Sequence, residues 1–137
     1  MHHEKTELSK KNPYYLSKHR YLELKHFCLQ YPEWKHALGQ LNGWESPKNE
    51  MSGIIPGNIP ADPTERQAIL RALYSERIGL VERCAEKADP VIGPYILQGV
   101  TEAFSYAQLR ARNCPCGRDA YYELCRRICW LLSKERG

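Results

Sequence analysis

The 137-residue chain has no run of about 18 apolar residues, so we expect no membrane-spanning helix. It also has no Gly-rich phosphate loop, no G-x-S-x-G or H-E-x-x-H motif and no paired-carboxylate motif. Without these motifs, nothing in the sequence predicts an enzyme or a cofactor. The first 25 residues are rich in Lys, Glu and His and lack the apolar stretch of a secretory signal, so we expect a cytoplasmic protein.

A strand-like alternation of polar and apolar residues is also missing, as is any internal repeat. Apolar residues instead recur at helical spacing along much of the chain. Hydrophobic residues at 42% and charged residues at 26% are typical of a globular protein, and the length fits one domain. We therefore predict an all-α protein built as a helical bundle.

The positive charge is concentrated at one end of the chain. The formal net charge is +4, and residues 105–137 hold seven Lys and Arg but only three Asp and Glu. Residues 1–104 hold thirteen of each sign. A basic end on a neutral body favours a polyanionic partner such as nucleic acid, with an ordinary solvated helix face as the alternative.

Helix-start signals help to divide the chain into segments. Residues 12–13 (Asn-Pro) and 62–63 (Asp-Pro) each combine an N-cap residue with Pro at the first helical position. The predicted segments are a polar tail (1–12), N-terminal helices (13–42), a Pro/Gly-rich strap (43–62), a long central helix (63–88) and a C-terminal helix-turn-helix unit (89–137).

The C-terminal unit follows the order short helix, tight turn, longer helix. Ser105 and Gln108 predict a capping box at the start of the short helix. Residues 113–117 (Asn-Cys-Pro-Cys-Gly) predict a turn, because Pro and Gly both interrupt helices. The following helix, of about 17 residues, has a predicted inward stripe of Ala120, Leu124 and Ile128. This is the outline of a helix-turn-helix, with residues 90–103 as the third helix.

In such a unit the second helix enters the major groove of double-stranded DNA, and its N-terminal side chains contact base edges. The residues expected to read bases lie at or near the start of that helix, outside the predicted stripe: Arg118, Asp119, Tyr121, Tyr122 and Arg126. The residues expected to bind phosphates are the remaining basic side chains of the unit: Arg110, Arg112, Arg127, Lys134 and Arg136.

The six cysteines are expected to be thiols in a reducing compartment. Four of them could supply thiolates to a zinc ion: Cys114, Cys116, Cys125 and Cys129. Their C-x-C and C-x3-C spacing is not one of the common zinc patterns, so we expect no metal, and zinc remains the alternative. His19 and His26, seven residues apart on one helix, are expected to be surface or packing groups rather than ligands.

The stretch FSYAQLRARNCPCGRDAYYELCRRICWLLSK resembles the C-terminal helix-turn-helix of sigma factor region 4, apart from the cysteines at its turn. The whole chain resembles the RinA/ArpU-like late-gene activators of phages and prophages. In these proteins an N-terminal helix ends at a Tyr-Pro break, as at Tyr31-Pro32 here. The resemblance implies a DNA-binding transcriptional regulator in a bacterial host cell. It leaves RNA polymerase open as a second partner, and also leaves open the choice between activator and repressor.

Two other functions remain open at this point. A phage DNA-packaging or assembly protein could use the same helix-turn-helix as an anchor. A protein-interaction adaptor could use the tyrosines and arginines of residues 105–137 without nucleic acid. The oligomeric state also stays open.

Overall fold

The structure is a computed structural model that describes residues 10–43 and 62–136. Every regular element in these residues is a helix, so the protein is all-α as predicted. The helices are α1 (Lys18–Leu29), α2 (Tyr31–Leu41), α3 (Pro63–Ala88), α4 (Gly93–Glu102), α5 (Tyr106–Ala111) and α6 (Arg118–Arg136). Residues 44–61 of the predicted strap and residues 1–9 of the predicted tail lie outside the described residues. None of the helices described combines the length and the apolar character needed to cross a bilayer.

The first helix begins later than the sequence predicts. The side chain of Asn12 accepts a hydrogen bond from the Tyr14 amide (2.8 Å), and its carbonyl accepts one from the Tyr15 amide (3.0 Å). These bonds close a single turn, and the helix starts at Lys18 with Ser17 as the N-cap. The prediction of a helix from residue 13 is therefore wrong, because the Asn side chain stabilises an isolated turn.

The long helix α3 has the predicted start and end. Asp62 is the N-cap and accepts a hydrogen bond from the Thr64 amide (3.0 Å), and Pro63 is the first helical residue. Tyr74 is 1% exposed, whereas Ile69 on the other side of the helix is 38% exposed, and the buried residues of α3 are Leu70, Tyr74, Val81, Cys84, Ala85 and Ala88.

α3 is the centre of the bundle, with α2, α4 and α6 packed along it. Arg71 of α3 donates hydrogen bonds to the Asn42 side chain (2.9 Å) and to the Leu41 carbonyl (2.8 Å), so it satisfies acceptors at the end of α2. The Tyr31 hydroxyl donates to the Glu82 carboxylate and joins the start of α2 to α3.

α4 also begins later than predicted. The Asp89 carboxylate accepts hydrogen bonds from the amides of Val91 (2.8 Å) and Ile92 (2.9 Å). This arrangement forms a turn over residues 90–92, and the helix starts at Gly93. Asp89-Pro90 therefore forms the turn before the helix rather than its first residues.

The inward face of α6 differs from the predicted stripe. Ala120 is exposed and Leu124 is half-buried, whereas Ile128 is buried as expected. The buried residues of this helix are Tyr121, Cys125, Arg126, Ile128, Cys129 and Leu132. The prediction is wrong by about one residue along the helix, because the Tyr121 ring removes far more apolar surface from water than the Ala120 methyl group would.

Candidate nucleic-acid interface

The corner between α5 and α6 is fixed by hydrogen bonds within residues 105–117. Ser105 and Gln108 form the predicted capping box, with distances of 3.2 Å from the Gln108 amide to the Ser105 hydroxyl and 2.8 Å from the Ser105 amide to the Gln108 side chain. After the helix, the Cys114 amide donates to the Leu109 carbonyl (3.0 Å), and Asn113 has a φ of 71°. Asn tolerates this left-handed conformation better than most residues, so the chain turns sharply here.

Tyr106 is the residue around which this corner is organised. It is buried, and its hydroxyl donates a hydrogen bond to the Cys116 carbonyl (2.6 Å), which holds the turn against α5. The Arg110 guanidinium donates to the same hydroxyl oxygen (3.3 Å). The Arg118 guanidinium lies 5.7 Å from the centre of the Tyr106 ring. One buried tyrosine therefore brings together arginines from α5 and α6.

A third arginine is held by an aromatic ring near the same corner. The Arg112 guanidinium lies 4.5 Å from the centre of the Phe104 ring, which precedes the capping box. Arg110, Arg112 and Arg118 are all exposed. We call these three residues the arginine corner. The sequence predicts all three as DNA-binding residues, but it does not reveal that Tyr106 and Phe104 position them.

Two of the predicted base-reading residues are buried. Tyr121 is 2% exposed, and its ring packs against the rings of Tyr106 (5.6 Å) and Tyr122 (5.1 Å). Arg126 is 5% exposed, and its guanidinium lies 4.9 Å from the centre of the Tyr21 ring in α1. Their predicted positions outside the core are wrong, because both side chains lie on the inward face of α6.

The exposed start of α6 carries both signs of charge. Arg118, Asp119 and Glu123 are exposed there, and Tyr122 is half-buried. The two carboxylates would repel phosphates, although a carboxylate can accept a hydrogen bond from cytosine. The positive charge of this region is thus on the arginine corner and not along the outward face of α6.

Arg127 and Lys134 lie farther along α6, where the N-terminal segment covers the helix. The Tyr14 ring packs edge-on against Trp130 (5.4 Å), and the Arg127 guanidinium lies 5.5 Å from the Tyr14 ring centre. The Lys134 amine lies 5.2 Å from the Trp130 ring centre. Sequence reasoning missed this contact because it assigned Tyr14 to the first helix.

Arg136 lies at the opposite end of α6 from the arginine corner. It is the last residue of α6, about 27 Å from Arg118 at 1.5 Å per residue. Its guanidinium lies 4.3 Å from the centre of the Phe27 ring and 3.6 Å from the Glu23 carboxylate. Arg136 is thus part of the contact between α6 and α1.

The thiols of Cys114 and Cys116 are 3.7 Å apart and buried under the turn. Burial, with the neighbouring Cys114 thiol, raises the pKa of Cys116 to about 11, so this thiol is protonated at neutral pH. Cys125 and Cys129 are buried on α6. Across residues 10–43 and 62–136, no three His, Cys, Asp or Glu side chains form a group that could hold a metal ion.

A comparison of the chain with protein-family models, with curated proteins and with solved structures finds no match.

Proposed function

We propose that the protein is a sequence-specific, double-stranded-DNA-binding transcriptional regulator of phage or prophage genes, and that DNA contacts the arginine corner. The observation that carries this proposal is the position of three exposed arginines around the corner between α5 and α6. Their contacts with Tyr106 and Phe104 reduce the conformational freedom that each side chain would lose on binding a phosphate. The late-gene activator role and a contact with RNA polymerase rest on two resemblances, that of the whole chain to the RinA/ArpU-like activators and that of residues 104–134 to sigma factor region 4.

In this proposal the three arginines have different roles. Arg118, at the start of α6, is the residue that reaches a base edge, where Arg can bind guanine with two hydrogen bonds. Arg110 and Arg112, from α5 and the turn, bind phosphates and fix the orientation of the protein on the duplex. Asp119 and Glu123 keep the phosphates away from the outward face of α6 and so restrict the approach to the corner.

The test is the salt dependence of duplex binding, measured by fluorescence anisotropy on a duplex selected from a random library. Each phosphate contact contributes about 0.9 to the slope of log affinity against log salt, so the two phosphate-binding arginines, Arg110 and Arg112, predict a slope of about −2. Arg112→Ala should make this slope less negative by about one on every sequence. Arg118→Ala should cost about 1–3 kcal/mol on the selected duplex and much less on a scrambled one.

Arg136→Ala is the matched control, because Arg136 is on the same helix but about 27 Å away and contacts α1 instead. Its slope should equal that of the unsubstituted protein. Circular dichroism must show that every variant remains folded. Binding that does not change with salt, or an equal loss for Arg118→Ala and Arg136→Ala, would contradict the proposed interface.

A protein-interaction adaptor is the second candidate function. The acidic residues on the exposed start of α6 favour it, since Asp119 and Glu123 oppose the approach of a polyanion. An adaptor would bind no duplex at low salt, so the anisotropy experiment separates the two functions.

A further inference from the structure

A groove lies at the end of the bundle away from the arginine corner, between α1, α3 and the last turn of α6. Its volume is about 690 Å³, which is within the range of small-molecule sites. Phe27, Leu73 and Leu80 supply apolar surface to it. The remaining lining side chains are mainly charged, so the balance of their charges decides what the groove can bind.

Two of the three carboxylates that line the groove are already paired. Glu23 lies 2.6 Å from Arg20 and 3.6 Å from Arg136. Glu135 lies 3.2 Å from the Lys87 amine and accepts a hydrogen bond from the Cys84 thiol (3.0 Å). Both pKa values are held below the usual range, Glu23 mainly by the hydrogen bond from Arg20 and Glu135 mainly by those from Cys84 and Lys87.

Arg77 lines this groove and packs against Trp34. Its guanidinium lies 5.9 Å from the centre of the Trp34 ring, and its Nη1 atom is buried with no hydrogen-bond partner among the residues described. A buried N–H of a charged group without an acceptor is costly, and few occur in folded proteins. Because Arg77 lines the groove, a ligand there would meet its positive charge.

Arg83 is the second cation of the groove, and a glycine gives it space. A methyl group at Gly79 would lie 3.1 Å from the Arg83 Nη1 atom, so the guanidinium lies back along α3 over this glycine. A glycine inside a helix costs roughly 0.5–1 kcal/mol relative to Ala, and here it lets the arginine approach the helix closely. Arg136 also lines the groove and is paired with Glu23. The charge of Arg83 also acts on Glu135, and Glu76 is the remaining lining carboxylate.

We infer that this groove binds a small organic anion, a carboxylate or a phosphate ester, with its charged group at Arg77 and Arg83. The apolar part of the ligand would lie against Phe27, Leu73 and Leu80. Arg supplies several donors in one plane and suits either kind of anion. This inference does not depend on DNA binding, because neither arginine belongs to the arginine corner.

The experiment uses the full chain without DNA and the fluorescent probe 8-anilinonaphthalene-1-sulfonate, an anion with an apolar aromatic body. We expect saturable binding of one probe per chain and displacement by octanoate and octyl phosphate. Inorganic phosphate, which has no apolar part, should displace the probe far less. Displacement by only one of the two octyl ligands would identify which anion the groove takes.

Arg77→Met keeps an unbranched apolar side chain over Trp34 and removes the charge, and it should weaken probe binding about tenfold or more. Arg77→Lys, which keeps the charge, should recover part of the affinity. Arg66→Met is the control, because Arg66 is exposed elsewhere on α3 and does not line the groove. Since the probe also binds partly unfolded chains, near-UV circular dichroism must be unchanged in each variant. Equal affinity of Arg77→Met and the unsubstituted protein, or equally strong displacement by inorganic phosphate, would overturn the inference.

Discussion

At Gly99 of α4, the packed Tyr121 side chain leaves no space for a side chain larger than that of glycine. A Cβ atom at this position would lie 1.6 Å from the Tyr121 hydroxyl oxygen and 2.9 Å from the ring carbon that carries it. The Tyr121 ring is held between Tyr106 and Tyr122, so it has little room to move. The glycine is thus the space into which the Tyr121 side chain fits.

We predict that Gly99→Ala destabilises the protein by about 1–3 kcal/mol, the usual cost of overpacking a core. Gly79→Ala is the matched control in another helix, since its methyl group meets only the flexible end of Arg83. That substitution should be neutral or stabilising by up to about 1 kcal/mol through helix propensity. Urea unfolding of the three proteins measures both values, and an equal effect of the two substitutions would refute the role of Tyr121.

At the scale of the helices, local signals in the sequence predict α3 and α5 well. Asp62-Pro63 and the Ser105–Gln108 capping box start these helices through contacts between residues close in sequence, and the structure has both as predicted. The predicted inward face of α6 was wrong. Packing against α1, α3 and α4 buries the side of the helix that carries Tyr121, and a local sequence pattern gives no information about contacts with other helices. For the same reason the arginines of the corner could be predicted, whereas their placement by Tyr106 could not.

The segment before α1 contacts α6 through Tyr14, whose ring packs against Trp130. Tyr14→Ala should loosen this segment and leave α6 in place, because the buried face of α6 does not involve Tyr14. An aromatic pair contributes about 0.5–1.5 kcal/mol, so amide hydrogen exchange of residues 12–17 should accelerate about two- to tenfold. Tyr15→Ala is the control, as Tyr15 has no ring contact among the described residues. Unchanged exchange in Tyr14→Ala would show that other contacts hold the segment.

At the scale of the whole molecule, α6 joins two regions that recognise different partners in our proposals. The arginine corner lies at its start, and Glu135 and Arg136 of the anion-binding groove lie at its end. About 27 Å of helix separates the two ends, so one duplex at the corner leaves the groove accessible. A regulator of this form can bind a small anion and DNA together, and the same buried face of α6 would carry any coupling between them.

We expect the buried thiols of the core to make the folded protein less stable at alkaline pH. Burial raises the pKa of Cys28 to about 12, and burial together with the hydrogen bond to Glu135 raises that of Cys84 to about 12, from an ordinary value of 9.0. Above pH 9 the unfolded chain loses these protons while the folded protein retains them. The free energy of unfolding should therefore fall progressively as the pH rises from 9 towards 12. The pKa of Tyr31 is also raised by burial, which adds to the loss in the same direction.

This prediction is tested by urea unfolding in the presence of a reducing agent at pH 8 and at pH 10. Cys28→Ala should be less stable than the unsubstituted protein at pH 8, because it leaves a small cavity in the core. Its further loss between pH 8 and pH 10 should be smaller, since one of the buried thiols that must ionise on unfolding is gone. Cys28 is suited to this test because it is fully buried and the nearby charge of Arg136 only partly offsets the effect of burial on its pKa. An identical loss in both proteins would mean that the alkaline transition comes from other groups, such as Tyr31.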